Sequence, residues 1–296
     1  MAEMIKLLLQ NGNASCVVID GKDLVQKAVD IHGLSPVGAA AMGRTLMGSL
    51  IMASDIKDEK GDVSVTIDGG GPLGRIIAVA NAKGHVRGCI DHPEATLPPR
   101  SDGKLDVGGA VGKEGRLVVV RDLGYGEPYV GQVALTSGEI AEDMAYYYVI
   151  SQQQPCLLYL GVLVDTDGSI LSASGLGIFP LPGCPESDIR ALELGRELYP
   201  ELTNALRDRT LEEAADLVLA GLTHRITERK KVDYVCNCSR EKMEKALISI
   251  GQRDLIAMIE EDQGCEICCH FCGSKYYFDA PALLRLLGEA TQQNIR

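Results

Sequence analysis

Six of the ten cysteines of this chain lie between Cys236 and Cys272, and their spacing restricts what the tail can fold into more than any other feature. Cys236-x-Cys238 and Cys269-x-x-Cys272 are two thiol pairs separated by thirty residues, a pattern that can close a tetrahedral shell of four soft ligands. Zinc is the default metal for such a shell, one ion per chain. The register has a competitor, because Cys265-x-x-Cys268 immediately precedes the second pair. In a zinc knuckle the chain turns beneath the metal, and the residue after the second cysteine often takes a positive φ. Gly273 after Cys272 meets that need, whereas Cys268 is followed by Cys269, which reaches such a conformation only at a cost. The later pair is therefore preferred. His270, between two better ligands, is a weaker candidate. By spacing alone, a structural metal is favoured over one that takes part in redox chemistry.

The compartment bears on that choice. Residues 1–9 offer one lysine and three consecutive leucines, far short of the apolar core of a signal peptide, and no apolar run reaches membrane-spanning length. The expectation is a cytoplasmic protein without membrane contact. In a reducing compartment, metal binding or redox chemistry explains ten cysteines better than permanent disulfides. Cys16, Cys89, Cys156 and Cys184 sit in mostly apolar surroundings and read as small buried hydrophobes. A formal net charge of −12 repels a phosphate backbone, and the tail from Lys231 carries eight basic against ten acidic residues, so nucleic-acid binding is disfavoured.

The length of 296 residues favours a large domain followed by a small one. Residues 1–181 read as an α+β domain with mostly antiparallel strands: a β-branched alternation over 63–67, a hairpin of 75–80 and 85–90 across Asn81-Ala-Lys-Gly84, and strands at 117–120, 129–135, 157–165 and 170–176. Ser35-Pro36 supplies a cap and a first-turn proline for a small-residue helix through residue 54, and Thr136-x-x-Glu139 reads as a capping box for a helix through residue 150. Gly69-x-Gly71-x-x-Gly74 matches a dinucleotide fingerprint, but a strand-like Ile76-Ile-Ala-Val79 follows where a helix N-terminus must hold the pyrophosphate. Gly108-Gly-Ala-Val-Gly-Lys113 resembles a phosphate loop with one residue too few between its outer glycines and Glu114 in place of the hydroxyl that would meet magnesium. Neither supports a nucleotide site. Over residues 182–231 strand signals stop and charged, helix-favouring segments form a helical linker, which leaves residues 232–296 as a small zinc-binding domain.

The tail segments Cys236-Asn-Cys238-Ser-Arg240, Ile259-Glu-Glu-Asp262 and Cys269-His-Phe-Cys272-Gly-Ser-Lys-Tyr-Tyr-Phe278 resemble the zinc domain of the bacterial redox-regulated thirty-three-kilodalton chaperonin family. His32-Gly-Leu-Ser-Pro36, Ala41-Met-Gly-Arg44, Gly69-Gly-Gly-Pro-Leu-Gly74, Tyr129-Val-Gly-Gln-Val133 and Ser137-Gly-Glu-Ile-Ala-Glu-Asp143 are similar to family segments in the same order, so the resemblance spans nearly the whole chain. It implies a holdase, not an enzyme, that binds unfolding client proteins without ATP. In the reduced form Cys236, Cys238, Cys269 and Cys272 would hold zinc. On oxidation Cys236 would pair with Cys238 and Cys269 with Cys272, the zinc would leave, the tail and linker would unfold, and the protein would form a homodimer. Cys265 and Cys268 are additional to the family pattern.

Other classes fit less well. A zinc-ribbon protein with purely structural metal shares the ligand spacing. A thiol-disulfide oxidoreductase wants a Cys-x-x-Cys at a helix start after a strand, and Glu260-Glu-Asp-Gln-Gly264 precedes Cys269 by only a few residues instead. A metallohydrolase needs an open coordination position, which all-thiolate shells usually lack, and the five histidines show no ligand pairing.

Overall fold

The structure, a computed structural model, describes residues 1–293. The chain divides into two compact units, Met1–Val235 and Cys236–Arg296.

The first unit is α+β and is organised about one buried helix. Ser35 caps α2 (Pro36–Ala53) by accepting a hydrogen bond from the Gly38 amide, with Pro36 in the first turn. Alanine, glycine, methionine and leucine leave this helix apolar on every side, and such a helix is stable only when surrounded. Sixteen of its eighteen residues are buried. It touches strands of both sheets and packs against α1 (Lys22–His32) and the short α3 (Val107–Val111). The first sheet joins β1 (Glu3–Leu9), β2 (Ala14–Asp20), β8 (Leu157–Val164), β9 (Ile170–Pro180) and β10 (His224–Lys231) in the order β10-β1-β2-β9-β8, antiparallel throughout. The second joins β3 (Asp62–Asp68), β4 (Ile76–Asn81), β5 (His85–Ile90), β6 (Arg116–Asp122), β7 (Tyr129–Ala134) and β11 (Asp233–Tyr234) in the order β11-β5-β4-β3-β6-β7. Only the short β11–β5 pairing is parallel. In β3, β4 and β5 buried and half-buried residues alternate, as a sheet with one face on a core requires.

The two glycine-rich segments that resemble phosphate loops are each other's packing partners. The Gly71 amide donates to Val111 O at 3.0 Å, the Leu73 amide to Ala110 O at 3.1 Å, and the Glu114 amide to Gly69 O at 3.1 Å. A Cβ on Gly69 would run into the Gly112 carbonyl, and one on Gly112 into the Gly69 carbonyl. The glycines permit two backbones to touch, and the helix start at the second segment, Val107, is already capped by the Asp106 carboxylate, which accepts from the Gly109 amide.

Several local expectations change in the structure. Helix α4 (Ile140–Gln152) starts after Glu139 with no side-chain cap. Glu139 is engaged by Arg44 at 2.7 Å, and the preceding turn is held instead by Asp143, whose buried carboxylate accepts from the Thr136 amide and hydroxyl and from the Ser137 and Gly138 amides. Residues 3–9 form β1, an interior strand of the first sheet between β10 and β2. Strand β9 continues beyond residue 176 to Pro180, which pairs with Ala14 at the strand end, where its missing N–H costs least. Within residues 182–231 the expected helices are present as α5 (Glu186–Gly195), α6 (Glu201–Ala205) and α7 (Leu211–Val218), the last with a Thr210–Glu213 capping box. The same stretch ends in β10, a strand that sequence patterning did not anticipate. Its residues His-Arg-Ile-Thr-Glu-Arg-Lys-Lys lack apolar alternation because β10 is a sheet edge, where charge is favoured over burial. The three helices cover the face of the first sheet away from α2, enclosing Ile5, Leu7, Cys16, Val18, Leu176 and Ile178 beneath Leu192, Leu202 and Leu219.

The second unit consists of α8 (Arg240–Ile250), α9 (Gln252–Glu260), a hairpin of β12 (Gly264–Cys268) and β13 (Lys275–Asp279), and α10 (Ala280–Gln293). Its core is Leu247, Leu255, Phe278, Leu283, Leu286 and Ala290. Among the described residues no helix is long and apolar enough to cross a membrane.

Candidate metal centre

The β12–β13 hairpin presents the second cysteine pair. Cys268 ends β12, and the chain then turns tightly: the Cys269 amide donates to Ser274 O at 2.9 Å, and the Gly273 and Cys272 amides both return to Cys269 O, at 2.8 and 3.3 Å. Gly273 takes φ +69°, a conformation strained for residues with a Cβ, and nothing crowds it. The first pair lies between β11 and α8. Ser239 caps α8, its Oγ accepting from the Lys242 amide at 3.4 Å, and the Lys242 ammonium donates to Asn237 O at 2.7 Å, closing a turn around Cys238. The Arg240 guanidinium stacks 4.3 Å from the centroid of Phe278 and donates to Tyr277 O at 3.0 Å, which fastens this turn to β13.

These contacts bring the sulfurs of Cys236, Cys238, Cys269 and Cys272 within 4.8 Å of one another. Cys236 Sγ lies 3.7 Å from Cys269 Sγ, and Cys238 Sγ 3.4 Å from Cys272 Sγ. A tetrahedron of thiolates bound at about 2.3 Å has edges of roughly 3.8 Å, so the donor set has the size of a zinc shell. The electrostatics point the same way. Burial pushes the Cys236 thiol up to about 12 and raises that of Cys269. At Cys272 burial acts upward too, but hydrogen bonding from Ser274 and the neighbouring cysteines outweighs it and leaves the thiol at about 7. Four thiolates so close together need a cation to offset their repulsion and desolvation. The residues fit a divalent metal.

The remaining tail candidates are placed elsewhere. Cys265 pairs with Phe278 across the hairpin and packs against the small core. Cys268 is exposed, its Sγ 3.5 Å from Gly273 O. Neither belongs to the cluster, and neither does His270. One participant had no signal in the sequence. The Tyr276 hydroxyl donates to Cys238 Sγ at 3.1 Å, a contact that depends on the hairpin register pairing Tyr276 with Ile267.

An α+β unit followed by a small unit with four clustered cysteines defines a protein whose tail carries a candidate metal site, and comparison with known proteins gives the class. The family described as Hsp33 protein matches residues 2–279. The chain is 39% identical over 286 residues to the 33 kDa chaperonin of Clostridium tetani, covering 96% of this chain and 97% of that protein. It is 43% identical over 278 residues to the 33 kDa chaperonin of Alkaliphilus oremlandii, covering 94% and 93%. The crystal structure of the 33 kDa chaperonin of Thermotoga maritima superposes with a TM-score of 0.88 at 30% identity, over 98% of this chain and 99% of that one. The chain belongs to the Hsp33 family. That is a family of chaperones and not of enzymes.

Proposed function

We propose that this protein is a redox-regulated, ATP-independent holdase whose reduced form holds one zinc ion through Cys236, Cys238, Cys269 and Cys272. The reading is carried by the convergence of four sulfurs in a unit whose own core, among the described residues, is six buried side chains. Ordering a residue costs roughly 1–2 kcal/mol in chain entropy, and a core this small offsets little of that cost. Zinc, when bound, supplies an apparent ~10–16 kcal/mol in small peptides and keeps the thiolates deprotonated and reactive toward oxidants. Two peroxide molecules, one per thiolate pair, each take two electrons and are reduced to hydroxide, leaving disulfides between Cys236 and Cys238 and between Cys269 and Cys272. Disulfide sulfurs are poor ligands, so the unit loses the cross-link that its core cannot replace.

Unfolding then extends into residues 182–231. Those helices cover the apolar face formed by Ile5, Leu7, Val18, Leu176 and Ile178, and their release gives unfolding clients an apolar surface to bind. The oxidised form is a homodimer, and the cytoplasm, where thiols are normally reduced, is where such a switch responds to stress. The test is zinc content and suppression of client aggregation measured side by side, before and after peroxide at heat-stress temperature. Zinc release accompanied by new holdase activity is expected. An oxidised, zinc-free protein whose tail amides stay protected from hydrogen exchange, and which leaves client aggregation unchanged, would reduce the metal to a structural role.

A further inference from the structure

We propose that Tyr276 is a positioning residue that orients the Cys238 thiolate and slows its oxidation. The inference rests on the redox-switch reading above. The phenol donates to Cys238 Sγ at 3.1 Å. Its place is fixed from two sides: β13 pairs Tyr276 with Ile267, and Arg240, two residues beyond Cys238, is bound to Phe278 and to the Tyr277 carbonyl on the same strand. Tyr276 is half-buried against the small core, so its hydroxyl stands where water would otherwise solvate the sulfur.

The chemistry that this bond restrains begins on sulfur. The Cys238 thiolate attacks one oxygen of hydrogen peroxide; an S–O bond forms, the O–O bond breaks, and hydroxide leaves to give a sulfenic acid. The Cys236 thiolate then attacks that sulfur, an S–S bond forms, and a second hydroxide leaves. Two electrons have passed from the sulfurs to the peroxide, and both hydroxides take up solvent protons to become water. The first step uses a sulfur lone pair that the phenol engages, and a hydrogen-bonded thiolate is the weaker nucleophile. Losing a hydrogen bond of ordinary strength from the ground state accelerates that step by about three- to ten-fold.

Two independent readouts in the full-length protein test the role. With cobalt in place of zinc, Tyr276→Phe should shift the thiolate-to-metal charge-transfer band to lower energy, because a thiolate without its donor is easier to oxidise. Incorporation of 3-fluorotyrosine at 276, a stronger donor of nearly the same shape, should shift it to higher energy. With zinc, the Phe variant should release metal to peroxide several-fold faster than the wild type, and the fluorotyrosine variant more slowly, with metal stoichiometry unchanged. Cobalt spectra and release rates that do not differ among the three proteins would overturn the proposal, as would a Phe variant altered only in melting temperature. If cobalt bands and release rates move as expected while none of the proteins gains holdase activity on oxidation, the role of Tyr276 stands and the switch reading falls.

Discussion

At the scale of single residues, equal chemistry acquires unequal roles from backbone position. Six cysteines share the tail, yet Cys265 is held on a strand with its side chain against the core, whereas Cys269 stands at the turn beneath the sulfur cluster. Cys269→Ser should therefore abolish tight zinc binding, reducing the metal retained after gel filtration from one ion per chain to none, and Cys265→Ser should retain it. The reverse outcome would mean that the other register forms the site. Asp143 illustrates the same principle without a metal. Its carboxylate satisfies three amides and a hydroxyl in a buried turn, and hydrogen bonds to a charged group are worth about 1.5–3 kcal/mol each, with a further penalty for donors left unpaired. Asp143→Ala should destabilise the first unit by about 3 kcal/mol or more in urea unfolding, with little change in zinc content.

At the scale of elements, residues 182–231 are both lid and sheet edge. Helix α6 seats Leu202, fully buried, on the first sheet, and β10 runs the length of β1. Truncating Leu202 to alanine should cost about 2–5 kcal/mol through lost burial and the cavity left behind. Because that loss falls on the covering helices, the reduced, zinc-loaded variant should bind an apolar-surface dye and slow client aggregation at heat-stress temperature without oxidant. A Leu202→Ala protein that is less stable but still silent until oxidised would show that this face is not where clients bind.

At the scale of the whole molecule, the division at Val235 and Cys236 separates a unit built on large apolar cores from one that rests on a cluster of sulfurs and a few leucines. Removing zinc from the reduced protein with a chelator should abolish amide protection across α8, α9 and α10 and leave that of α2 and the second sheet intact. Peptide-resolved hydrogen exchange checks this, and a single cooperative loss over all described residues would contradict the separation.

The sequence by itself determined the spacing of the four cysteines and the requirement for Gly273, because knuckle geometry is local: a turn, a positive φ and two nearby thiols lie within a few residues of one another. It also determined most strands of the second sheet, whose alternation reports a single buried face, and the capped start of α2. The tertiary structure decided what local pattern does not encode. Residues 3–9 became an interior strand of a sheet and residues 224–231 its charged edge because the two pair with each other across about two hundred residues of chain. The glycine motifs became a backbone contact because each is the other's neighbour only in space, and a tyrosine reached Cys238 because a hairpin register placed it there. Long-range pairing assigns these roles, and no window along the chain contains both members of such a pair.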